Sequence, residues 1–177
     1  QTTTNMMSKG TVYHFDGVND VINGTDLTQV SGSLGFVQAR FKYKSNGAYQ
    51  VIFGTSDTAT ISYFFHVSIN DSGKLNISQR DADTASEVAG GTVLVDGTEY
   101  VVDFVSNGTS YAIYLNGVAE TLTVVTGADN GDWFGDTSNR DSWTIGILTR
   151  TTSILPFAGE IAEVMLGNFA PTAAEVK

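Results

Sequence analysis

Residues 33–44 read SLGFVQARFKYK, with Val37, Ala39, Phe41 and Tyr43 alternating with Gln38, Arg40, Lys42 and Lys44. A period of two sends the first set to one face of an extended strand and the second set to the other. One face therefore enters a core and one meets water. The pattern repeats outward along the chain. ISYFFHVSI puts Ile61, Tyr63, Phe65, Val67 and Ile69 on one face, and GKLNISQR, EYVVDFVS, SYAIYLNG, WTIGIL and AGEIAEVMLG continue it. Between these runs lie turn formers: Asn70-Asp71-Ser72-Gly73, Asp96-Gly97, Asn107-Gly108 and Asn116-Gly117. About ten or more short strands joined by hairpin signals predict an all-β protein, a sandwich or barrel. The expected core includes Phe15, Phe41, Phe53, Phe65, Phe104, Ile113, Leu115, Ile145 and Val164. One helix signal stands out. Thr172 and Glu175 form a Thr-x-x-Glu capping box, which predicts a short C-terminal helical turn.

Composition narrows the function. The 177 residues suit one domain with a sizeable core. The formal net charge of -10 and the scattered basic residues exclude a phosphate backbone as partner. Such acidity suits solubility, cation binding or an uncharged glycan. No apolar run reaches the ~20 residues that a membrane-spanning helix needs. Cysteine is absent, which excludes a disulfide scaffold, thiolate metal sites and a cysteine nucleophile. The polar start QTTTNMMSKG, without an initiating Met, and the capping box so near Lys177 point to a single domain, residues 1–177, excised from a longer chain.

The motifs FDGVNDVI (15–22), YAIYLNGV (111–118), WTIGIL (143–148) and FAGEIAEVMLGNFAPTAAEV (157–176), in that order, resemble the laminin-G-like, concanavalin A-like jelly rolls. The resemblance spans most of the chain. It implies a two-sheet antiparallel β-sandwich of six or seven strands per sheet, with the N- and C-terminal strands adjacent. It also implies a calcium ion near the sheet edges in some members.

Two stretches are candidate sites. In YHFDGVNDVI, Asp16, Asn19 and Asp20 have two readings. Asp16-Gly17 forms a turn with Asp20 tethering backbone amides, or the oxygens hold a structural Ca2+. In the second case Glu160 or Glu163 of the closing strand would complete the metal set, although the acidic residue usual in that family's motif is Ala162 here. The other stretch is TGADNGDWFGDTSNRDSW. Asp129, Asn130, Asp132, Asp136, Arg140 and Asp141 crowd around Trp133 and Phe134. The plain reading is a solvated acidic loop. The sharper one is a ligand-binding loop, in which aromatic faces stack on a sugar while Asp132, Asp136 and Arg140 bond its hydroxyls. RDADTASE (80–87) reads as a polar hairpin loop without the ligand run of a calcium-binding helix-loop-helix.

No catalytic constellation emerges. His14 and His66 are the only histidines, and no Ser-His-Asp spacing or paired carboxylates of a glycosidase are present. Glu160 and Glu163, at odd spacing, fall on opposite faces of a strand. The expected function is a non-catalytic extracellular recognition module that binds a glycan in several copies. The alternative is a structural surface domain, for example on a virion, that binds protein partners.

Overall fold

The structure is a computed structural model that describes residues 3–6 and 10–176. Two antiparallel seven-stranded sheets face each other across one core. Sheet A contains β1 (Thr3–Asn5), β2 (Tyr13–Asp16), β4 (Gly35–Tyr43), β9 (Glu99–Ser106), β10 (Tyr111–Leu115), β11 (Val118–Ala119) and β16 (Ala158–Gly167). Sheet B runs in the order β12 (Thr123–Thr126), β8 (Thr84–Val93), β7 (Lys74–Asp81), β6 (Tyr63–Ile69), β5 (Gln50–Ser56), β13 (Ser142–Ile145) and β3 (Ile22–Gly24). A small hairpin, β14 (Leu148–Thr149) with β15 (Ser153–Ile154), pairs with neither sheet. As the resemblance implied, both N-terminal strands β1 and β2 pair with the closing strand β16.

Sequence pattern and turn chemistry account for most of this. The Asn116-Gly117 pair sits at φ 51° and 77°, the left-handed geometry that closes a tight hairpin between β10 and β11. All nine expected core residues are buried in a single cluster. The C-terminal capping box forms one hydrogen-bonded turn. The Thr172 N–H and hydroxyl both donate to Glu175 Oε2, at 2.8 and 2.9 Å.

Strand β16 departs from simple alternation. Its register with β4 shifts between Ile161 and Glu163, so Ala162 is the extra residue of a β-bulge. Ile161 and Val164 both enter the core, opposite Phe41 and Ala39. Glu160 and Glu163 consequently share the outer face, opposite Lys42 and Arg40. Unbroken alternation would have put them on opposite faces, and the bulge reverses that.

Candidate functional site

The outer face of sheet B is polar, and its cross-strand rows can be read from the register. One row holds Arg80, Phe64, Ser56 and Ser142, and the next holds Glu87, Ser78, His66, Gly54 and Thr144. The β14–β15 hairpin covers the Gly54 side. A side chain on Gly54 would bring its Cβ to 2.9 Å from Leu148 Cδ1, so glycine permits the hairpin's close approach. The Ser56 hydroxyl donates to the Thr149 carbonyl and anchors the hairpin there. Beyond the hairpin, Phe64, Ser78, Arg80 and Glu87 remain partly open.

Two arginines meet on this open part. Arg150, in the turn between β14 and β15, lays its guanidinium 5.0 Å from the Phe64 ring centre. This is a cation–π contact. Its Nη1 donates to the Ile61 carbonyl at 3.2 Å, while its Nε is buried with no partner. Arg80 is the cross-strand neighbour of Phe64, and its Nε donates to the Ala82 carbonyl at 2.9 Å. Among the described residues neither arginine is ion-paired, and both bond backbone carbonyls instead. Burial, and then the positive charge of Arg80, holds the Arg150 guanidinium below its ordinary range.

Neutral groups complete the patch. His66 stacks on Phe64 with ring centres 5.5 Å apart and planes 16° apart. Burial, with Arg150 adding repulsion, pushes its pKa down to about 3, so the imidazole is uncharged at neutral pH. The nearby carboxylate of Glu87 already accepts from the Tyr49 hydroxyl at 3.0 Å and from Asn76 Nδ2 at 2.8 Å. Burial and this contact with Glu87 raise the Tyr49 phenol to about 12. Chemically the patch offers guanidinium donors beside an aromatic ring, in a setting suited to a carboxylate-bearing ligand.

The loop at 129–141 is built differently from its sequence-based expectation. Trp133 and Phe134 are 1% and 2% exposed and pack edge-on against Phe65, with ring centres 4.8 and 4.7 Å away. They close one end of the core, so neither offers a face to a sugar. The loop's polar side chains hold it in place. Asp129 Oδ1 accepts from the Tyr111 N–H at 2.7 Å, and Asp136 Oδ2 from the Trp133 N–H at 2.8 Å. Asn130 Nδ2 donates to Asp132 Oδ2. Arg140 donates to the carbonyls of Thr137 and Val30, both at 2.8 Å, and burial pushes its pKa down to about 10.

In the opening stretch, Asp16 Oδ1 accepts from the Val18 N–H and Asp20 Oδ2 from the Asp16 N–H, both at 2.8 Å. This is the geometry of the turn reading. Asp16 lies opposite Ala158, whereas Glu160 faces His14 and Lys42, and Glu163 faces Arg40. Among the described residues no three His, Asp or Glu side chains gather as a metal would need.

The profile of the concanavalin A-like lectin/glucanases superfamily matches residues 16–177. The chain belongs to this superfamily. Solved sialidase structures contain the same two-sheet sandwich. The CBM40 of Ruminococcus gnavus IT-sialidase, solved bound to alpha2,3 sialyllactose, is 14% identical with a TM-score of 0.76, covering 96% of this chain and 97% of that one. The NanB sialidase from Streptococcus pneumoniae is 24% identical over 96% of the chain, with a TM-score of 0.76. The leech intramolecular trans-sialidase is 18% identical over 99%, with a TM-score of 0.73. The match spans 28% and 26% of those two sialidase chains. At these identities the likeness is one of fold. No curated protein sequence matches the chain.

Within this concanavalin A-like sandwich, sequence reasoning missed Arg80, Arg150 and Phe64. A signal was available: the chain has four arginines in all, two of them beside turns with no acidic residue spaced to pair them on one strand face. That two of these would meet across Phe64 was not visible, because β6, β7 and the β14–β15 turn come together through the sheet.

Proposed function

We propose that the protein is a non-catalytic carbohydrate-binding module, and that its ligand is an acidic glycan held on the outer face of sheet B. The observation that carries this reading is the pair of arginines, Arg80 and Arg150, set about Phe64 without carboxylate partners in a chain of net charge -10. An acidic protein of this kind repels anions in general. Two guanidiniums close together on one partly open patch make a local positive site where an anionic group can bind. In this reading the sugar carboxylate lies between the guanidiniums, the Phe64 edge packs on the apolar side of the ring, and Ser78 meets a hydroxyl.

The bound sialyllactose of the Ruminococcus gnavus module supports a terminal sialic acid as that acidic sugar. Charge-assisted hydrogen bonds of this kind contribute about 1.5–3 kcal/mol each, so a single site binds weakly to moderately. Several copies side by side would raise the strength by avidity. Sialylated chains are displayed outside cells, which fits an extracellular setting.

Titration calorimetry with sialyllactose and with lactose tests the reading. Binding of the first, absent for the second and reduced at least tenfold by Arg150→Ala, is the expected result. Equal binding of both sugars, or binding that survives loss of both arginines, overturns it. Failure to bind any glycan favours a protein partner instead.

A further inference from the structure

The sequence contains five Asn-Gly steps, at 23–24, 46–47, 107–108, 116–117 and 130–131. Glycine has no side chain to shield its backbone nitrogen or to restrict its backbone. An Asn-Gly step is therefore the place where that nitrogen most easily attacks the asparagine Cγ. The fold treats the five steps very differently.

Three are locked by their own turns. Asn107 Oδ1 accepts from the Thr109 and Ser110 N–H groups at 2.8 and 2.9 Å, and the Gly108 N–H donates to Ser106 Oγ at 3.0 Å. Asn116 Oδ1 accepts from the Val101 N–H at 2.9 Å, and the Asn116 N–H donates to the Val101 carbonyl at 2.7 Å. Both ends of the Asn130 side-chain amide bond Asp132, and Gly131 is enclosed, since a Cβ there would lie 2.4 Å from the nitrogens of Thr109 and Ser110. Asn23 is exposed but lies in β3, opposite Thr144 of β13. The Trp143 indole lies against Gly24, 2.6 Å from where a Cβ would sit. Strand pairing and the indole together hold the Gly24 nitrogen in line.

Asn46-Gly47 is the exception. It lies in the exposed loop between β4 and β5. The Gly47 N–H has no partner among the described residues, and nothing lies within 4 Å of where its Cβ would be. Asn46 Oδ1 accepts one bond, from the Ala48 N–H at 3.0 Å. Such an Asx turn folds the side chain back over the next peptide, which brings Cγ toward the Gly47 nitrogen. Asn46 Nδ2 donates to the Pro156 carbonyl at 3.2 Å and ties the loop to the segment before β16.

We infer that Asn46 is a modification site, at which the chain converts its own side-chain amide to an acid with water as the co-reactant. The Gly47 nitrogen bonds to Asn46 Cγ as the Cγ–Nδ2 bond breaks, and the Gly47 proton leaves with Nδ2 as ammonia. Water then opens the cyclic imide at either carbonyl. One opening gives aspartate, and the other gives isoaspartate, whose main chain runs through the former side chain. Both products lose the Nδ2 donor, so the bond to Pro156 is lost. The same loop leads into Tyr49, whose hydroxyl donates to Glu87 at 3.0 Å beside the arginine patch. This chemistry does not rest on the glycan reading.

Incubating the intact chain at mildly alkaline pH in water enriched in heavy oxygen, then digesting it and mapping the label by mass spectrometry, tests the inference. Label should enter residue 46 several times faster than any other Asn-Gly step. The denatured chain should label all five at comparable rates. Asn46→Gln, whose longer side chain closes the ring poorly, should lack the early label. Amide NMR of the aged protein should show new signals for Ala48 and Tyr49. Faster labelling at another Asn-Gly step, equal rates in the folded chain, or an Asn46 that stays intact overturns the inference. Unchanged Ala48 and Tyr49 signals overturn the loop's release. Should Asn46→Gln fail to fold, the folded and denatured rates of the unaltered chain still separate these outcomes.

Discussion

The loop at 129–141 and the outer face of sheet B make opposite impressions in sequence and in space. The loop has the acids, amides, arginine and aromatics of a binding site, yet its aromatics fill the end of the core and its polar groups bond its own backbone. The strand face looks ordinary, yet it leaves two guanidiniums about a phenyl ring with no carboxylate to neutralise them. A rich composition shows that a segment has many hydrogen bonds to make. Whether the partner is the protein or a ligand depends on which groups the fold leaves unpaired.

The largest effect should come from the loop. If Trp133 plugs the core, Trp133→Ala should lower stability by about 3–5 kcal/mol in denaturant melts. Glycan affinity of the fraction that folds should be nearly unchanged. A stable variant that loses glycan binding would reverse the comparison and return the loop to the surface.

A pH effect of similar order belongs to the strand face. The pKa of His66 in the folded chain is about 3, below the usual ~6.5 of an unfolded histidine. Between these values the unfolded chain holds the extra proton, so stability is full above about pH 6.5 and falls as the pH drops toward 3. The slope reaches at most about 1.4 kcal/mol per pH unit from this group. Melts of the unaltered protein and of His66→Gln across pH 7 to 4 should converge on acidification. Parallel curves would mean that His66 is not held neutral by burial.

A smaller change is expected from the arginines, and mainly in binding. Arg80→Ala and Arg150→Ala should each weaken acidic-glycan binding tenfold or more, about 1.4 kcal/mol, in calorimetry. Their melting midpoints should move far less than that of Trp133→Ala. Raising the salt concentration should weaken binding of the unaltered protein as well. A salt-independent affinity would argue that the guanidiniums do not meet charge.

The smallest effect concerns Asp16 and Asp20. With an oxygen of each already bonded to an amide of their own turn, added calcium should leave the melting midpoint where chelator leaves it. A calcium-dependent rise would point to a cation site around Asp16, Asn19 and Asp20. It would need about 2.7 kcal/mol at a hundred times the dissociation constant.

The alternation in 33–44 and its repeats determined the two-faced strands, and Asn116-Gly117 and its counterparts determined the hairpins. These signals are local: a strand's side-chain period and a turn's left-handed residues act within a few positions. The nine core residues followed for the same reason. What tertiary structure alone decided involves partners far apart in the chain. The bulge at Ala162 placed Glu160 and Glu163 on one face because β4 fixes the register of β16. Trp133 and Phe134 were drawn inward because Phe65, some seventy residues earlier, left an open core end beneath them. Arg80, Phe64 and Arg150 became one patch through the pairing of β6 with β7 and the folding of the 148–154 hairpin over β5. Burial and charge pairing are properties of neighbours in space, and a one-dimensional pattern does not contain them.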